Sequence, residues 1–71
     1  MGSRQYFVVG EGDGRRIYLV GETYWVVFSV RGVEQERLGS PPPAVADEAT
    51  PITLAQARAL LGYEPVEALL H

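Results

Sequence analysis

Apolar residues recur along this chain in two different rhythms. Up to residue 38 they fall in short blocks rich in β-branched and aromatic side chains, separated by glycine: Gln5–Val9, Arg15–Val20, Thr23–Val30 and, more weakly, Val33–Leu38. Blocks of this length and composition read as strands. The breaks GEGDG, GE and RG suit hairpins, whereas parallel neighbours would need a crossover of about a dozen residues. Residues 1–38 are therefore expected to form a three- to four-stranded antiparallel meander. Residues 39–51, GSPPPAVADEATP, contain four of the five prolines. They are expected to be an extended connector without helix, able to carry the chain across the sheet. From Ile52 the rhythm becomes helical. Thr53 with Gln56 forms a capping-box pattern, Leu54, Ala57, Leu60 and Leu61 keep one side, and Gly62 is a natural stop. Pro65 then opens a second short helix with Val66, Leu69 and Leu70 on one stripe. The expectation is a single α+β domain over residues 1–71, with a helical hairpin at 52–71 packed on one sheet face.

Side chains in a strand alternate between two faces, so the hairpin turns decide which residues share a face. Taking GE as a two-residue turn sets Leu19 opposite Tyr24, Tyr18 opposite Trp25 and Ile17 opposite Val26. Extending the same counting through RG and GEGDG gathers Phe7, Val9, Ile17, Leu19, Tyr24, Val26, Phe28, Val30 and Val33 on one face. It gathers Tyr6, Val8, Tyr18, Val20, Trp25, Val27 and Leu38 on the other.

The run ETYWVVFSV has no polar alternation, so both faces of the sheet need cover. Two short helices offer about seven large apolar side chains, enough for one face of a small sheet. The face with Tyr6, Tyr18 and Trp25 is left for another molecule to finish, because bare apolar areas of several hundred Å² are unusual on monomers. A chain of 71 residues also buries only roughly 60% of the surface its unfolded chain exposes and gains from a disulfide, a metal or a partner. It has no cysteine and a single histidine, His71. That sets aside disulfides, thiolate zinc sites and most transition-metal sites, and no metal or other cofactor is expected. Oligomerisation or a partner remains.

Charge narrows the partner. The formal net charge is −3, and the acidic excess lies in residues 39–71, where Arg58 stands against Asp47, Glu48, Glu64 and Glu67. Sequence-independent gripping of phosphate backbones needs the opposite balance. Met1–Arg4 is too short and polar for a signal peptide, and no apolar run reaches the roughly 20 residues of a membrane span. A cytoplasmic location without membrane attachment is expected.

Candidate chemistry is sparse. GEGDG leads from strand to strand, whereas a phosphate-binding loop leads into a helix, and Glu11 with Asp13 offers too few oxygens for calcium. Ser3, Ser29 and Ser40 have no evident base, and Glu34 with Glu36 form a carboxylate pair on one strand face, a pattern that also guards edge strands. No enzymatic activity is expected.

The outline of ITLAQARALLGYEPVEALL, a helix, a glycine turn and a helix, resembles helix-turn-helix DNA readers, with TLAQARALLG similar to their first helix. The second helix departs from them, carrying Glu64 and Glu67 where such proteins present base-reading residues. Two functional classes follow. The first is a protein-interaction module, regulatory, inhibitory or for assembly, that buries Tyr6, Val8, Tyr18, Val20, Trp25, Val27 and Leu38 against a second copy or a protein partner, with Arg16 as the directional contact. The second is a nucleic-acid-binding regulator using the aromatic face with Arg16, or the C-terminal helices.

Overall fold

The computed structural model describes residues 4–69. Ser3, Leu70 and His71, named above, lie outside them, as do the side chains of Asp13 and Leu69. The strands β1 (Gln5–Val9), β2 (Arg16–Val20), β3 (Tyr24–Ser29), β4 (Gly32–Leu38) and β5 (Thr50–Ile52) form one antiparallel sheet in the order β4-β3-β2-β1-β5. The helices α1 (Pro43–Asp47), α2 (Leu54–Leu61) and α3 (Pro65–Leu69) complete a small α+β fold.

Each hairpin turns at a different place from the one its glycines suggest. Between β2 and β3, Gly21 donates its N–H to the Tyr24 carbonyl at 2.9 Å, so the turn is Glu22–Thr23. Val20 then pairs with Trp25 and Tyr18 with Val27. Every partner moves two positions along, which leaves both faces unchanged. A Cβ at Gly21 would overlap the Tyr24 ring, which would have to shift to admit it.

The β1–β2 connection departs by an odd number and therefore inverts a strand. A 3-10 turn, Gly12–Gly14, occupies the loop, closed by the Arg15 N–H on the Gly12 carbonyl at 3.1 Å. Gly10 and Gly12 supply the positive φ angles, 85° and 62°. Val9 consequently pairs with Arg16, Phe7 with Tyr18 and Tyr6 with Leu19. Tyr6 and Val8 are thus placed on the helix side, and Phe7 and Val9 on the opposite side, the reverse of the sequence expectation.

The β3–β4 turn is Val30–Arg31, because Ser29 pairs with Gly32. A bulge follows, with Phe28 opposite Val33 but Val27 opposite Gln35, so Glu34 is the extra residue. Beyond it the faces exchange. Leu38 pairs with Tyr24 rather than lying beside Trp25, and Glu36 pairs with Val26 on the helix side. Glu34 and Glu36 therefore do not share a face. Val30, expected inside, sits in the turn at 63% exposure.

The core lies between the sheet and the C-terminal helices. Tyr6, Ile17, Leu19, Val26 and Phe28 are buried with Ala57 and Leu61, and Val8, Tyr24, Val33, Ile52, Leu54, Leu60 and Tyr63 pack around them. The capping box forms as the sequence predicts, with the Gln56 N–H on Thr53 Oγ1 at 3.1 Å and the Thr53 N–H on Gln56 Oε1 at 2.9 Å. Gly62 ends α2 at φ 81°. Pro65, fully buried, starts α3. The Tyr63 hydroxyl donates to the Ser29 carbonyl at 2.7 Å, tying the turn between α2 and α3 to the sheet.

Residues 39–51 are more structured than a proline-rich extended segment. Pro43 occupies the first position of α1, where its missing N–H has no helical partner to lose. Thr50–Ile52 adds β5 along the open side of β1, with Pro51 opposite Phe7. A proline is tolerated there because an edge strand needs hydrogen-bond partners on one side only. The radius of gyration, 11.1 Å, is about that of a compact domain of this length.

Candidate interaction surface

Three rows of side chains cross the sheet on the side away from α2 and α3. Strand pairing places Gln5, Val20, Trp25 and Arg37 in one row. Pro51, Phe7, Tyr18, Val27 and Gln35 form the next, and Val9, Arg16 and Ser29 the third. Tyr18 and Trp25 are diagonal neighbours whose rings stack, with centroids 6.1 Å apart and planes 29° from parallel. Both are half-buried, and Val27 between them and β4 is buried.

The connector walls one end of this face. Pro41, Pro42, Pro43, Val45, Ala49 and Pro51 line a cavity of about 520 Å³ together with Gln5, Phe7 and Val20. Val45 is only 6% exposed although it lies outside the main core. The chain therefore supplies part of the cover that the sequence assigned to another molecule. Among the described residues the large hydrophobics left mostly bare are Val30 and Leu38, the latter 88% exposed, at opposite ends of β4. They do not form a patch with Trp25.

At the other end lies a polar recess of about 410 Å³ lined by Arg16, Ser29, Val30, Arg31 and Glu34. Arg16 Nε donates to Glu34 Oε1 at 2.6 Å, and the Arg31 N–H donates to Ser29 Oγ at 3.1 Å. The bulge that displaces Glu34 from the ladder brings it to Arg16, so this cation is neutralised within the chain. On the helix side, Arg58 is likewise paired with Glu64.

Of the eight residues named from the sequence, Arg16, Tyr18, Val20, Trp25 and Val27 lie on one face. Tyr6 and Val8 belong to the core side, and Leu38 stands apart at the β4 end. Phe7 and the connector residues were missed. A one-residue change in loop length accounts for Phe7, and α1, a single turn of five residues, is too short to show a period in the sequence. No group of three or more His, Cys, Asp or Glu side chains is placed to hold a metal among the described residues. No helix among them is long and apolar enough to cross a membrane.

Burial raises the Tyr6 hydroxyl above its ordinary pKa, with Arg4 opposing and Glu64 adding to the rise. Burial also raises that of Tyr63, assisted by the Glu34 carboxylate. Neither group belongs to the outer face. Comparison with protein-family models, curated proteins and solved structures finds no match.

Proposed function

We propose that the chain is a non-enzymatic protein-interaction module whose outer sheet face, centred on Tyr18 and Trp25, receives a protein partner or a second copy. The observation that carries this reading is the stacked Tyr18–Trp25 pair, half-buried beside an apolar cavity on the face the C-terminal helices do not cover. Large aromatic rings with a dry body and a polar tip are the side chains that anchor protein interfaces. The sheet edges do not favour strand addition. β5 carries Pro51, and β4 carries the Glu34 bulge with Glu36 and Arg37. A partner is therefore directed to the face.

A nucleic-acid partner is less well supported. Tracking a phosphate backbone takes a groove of several cations beside the aromatics; here Arg16 is engaged by Glu34 and only Arg37 stands next to Trp25, in a chain of net charge −3.

A photo-crosslinking side chain at position 18 tests the reading in cells making the protein, with exposed Ala55 on α2 as the control position. Discrete protease-sensitive adducts from position 18, absent from position 55 and abolished by Trp25→Ala, are expected. Equal yields from both positions, no adducts, or adducts removed by nuclease would each overturn it.

A further inference from the structure

We infer that residues 40–48 form a strap that lifts from the outer sheet face as a unit while the sheet, α2 and α3 stay folded. The strap is pinned only at its ends. Before it, the Gly39 N–H donates to the Thr23 carbonyl at 2.8 Å, and beyond it β5 pairs Thr50 with Val8 and Ile52 with Tyr6. Between those points no hydrogen bond joins residues 40–48 to the rest of the described chain. The Val45 N–H donates to the Pro42 carbonyl at 3.0 Å, a bond inside the strap that travels with it. Lifting it therefore leaves no backbone group of the sheet without its partner.

Packing beneath the strap is equally sparse. Among its described side chains Val45 alone is buried; Pro41 and Pro42 are half-buried, and Ser40, Pro43, Asp47 and Glu48 are exposed. Val45 does not join the core cluster, and the cavity of about 520 Å³ lies between strap and sheet. A segment held by one buried side chain opens at a small fraction of the cost of global unfolding, because few contacts are lost. The sheet meanwhile keeps its core, since Tyr6, Ile17, Leu19, Val26 and Phe28 pack with α2 on its other side. Gly39, at φ 101°, supplies a joint, and three prolines leading into α1 make the segment stiff enough to swing together.

Lifting the strap enlarges the outer face. Phe7 and Val20 line the cavity, and they are the cross-strand partners of Tyr18 and Trp25. With the strap down, the stacked pair stands beside a covered end; with it up, the four side chains form one apolar surface across β1, β2 and β3. The strap thus sets how much of this face is offered, whatever occupies it.

The chain has no cysteine, so a single introduced thiol reports on a single site. The full chain is prepared with Val45→Cys in the strap, Val26→Cys in the core or Ala55→Cys at an exposed position of α2, and each thiol is reacted with an aromatic disulfide reagent across a urea series below the unfolding transition. Val45 and Val26 are 6% and 3% exposed and undergo the same change of side chain, so a difference between them reads the route of opening. Position 45 should react about a hundredfold or more faster than position 26, yet more slowly than position 55, as a local opening requires. Its rate should barely respond to urea, because little surface is exposed, whereas the rate at position 26 should climb steeply. In the protein labelled at position 45, the NMR amide signals of Phe7 and Val20 should shift and those of Ala57 and Leu61 should hold. Equal rates and equal urea slopes at positions 45 and 26 would overturn the inference, because the connector would then leave only when the domain unfolds. A rate at position 45 matching position 55 would overturn it too, since no closed strap would exist, and so would loss of the dispersed NMR spectrum on labelling.

Discussion

Replacing Tyr6 and replacing Trp25 by alanine should have very different consequences, and the difference decides whether the outer face is built for stability. Tyr6 is 7% exposed and packs in the cluster with Leu19 and Phe28. Removing a buried aromatic ring costs about 3–5 kcal/mol. A domain of 71 residues is stable by only about 4–11 kcal/mol, so Tyr6→Ala should lose a third of the stability or all of it. Tyr6→Phe keeps the packing and should lose less than about 1.5 kcal/mol. Trp25 is half-buried, and its stacking on Tyr18 is worth about 0.5–1.5 kcal/mol beyond its buried area. Trp25→Ala should therefore cost about 1–2 kcal/mol on partial burial plus stacking. Urea unfolding followed by far-ultraviolet circular dichroism measures both variants without relying on the tryptophan that one of them lacks. With a slope of about 1 kcal/mol per molar urea for so small a domain, the midpoints should separate by about 1–4 M. If Trp25→Ala loses as much as Tyr6→Ala, the outer face is a second core and its aromatics need no partner to explain them. If Tyr6→Ala is tolerated, the register of β1 is wrong.

Three further outcomes are expected. Val45→Ala should destabilise by about 1–2.5 kcal/mol, because the connector packs on the sheet; a variant indistinguishable from the parent in urea would show that α1 does not seal this face. Gly21→Ala should cost about 1–3 kcal/mol by displacing the Tyr24 ring, and an unchanged melting temperature would contradict the corner geometry. Stability should be flat to about pH 9 and then fall through the alkaline range. With the folded-state pKa values of Tyr6 and Tyr63 raised, the unfolded chain loses those protons first, so rising pH favours unfolding. Tyr63→Phe should make that fall shallower, and stability that holds or increases between pH 9 and 11 would refute the assignment.

The strands and the C-terminal helices were legible because each rests on local signals: β-branched blocks, a Thr53–Gln56 capping box, Gly62 at a left-handed position. The faces were legible only where errors of turn placement were even. Moving the β2–β3 turn by one residue shifts every pair by two and keeps Tyr18, Val20, Trp25 and Val27 together. The extra residue in the β1–β2 loop and the bulge at Glu34 are odd, so Tyr6, Val8 and Leu38 were assigned to the wrong surroundings. A glycine-rich loop does not state its own length in paired residues; the packing of β1 against α2 settles it, by burying Tyr6 and setting Val8 against the core.

The connector was misread for a different reason, and it changes how the outer face should be understood. A three-residue strand with a central proline has no periodicity, and a single helical turn has too few residues to show one. Their causes lie elsewhere in the chain: β1 would otherwise present an unpaired edge, and Phe7 and Val20 would otherwise face water. Counting helices against sheet area therefore overstated the cover needed from outside, since proline-rich chain can shield a sheet without regular structure of any length. What remains is a narrower demand. The connector stops beside Phe7 and Val20, and the aromatic surface continues one strand further, to Tyr18 and Trp25. A partner seated on that pair would complete a cover the chain itself begins.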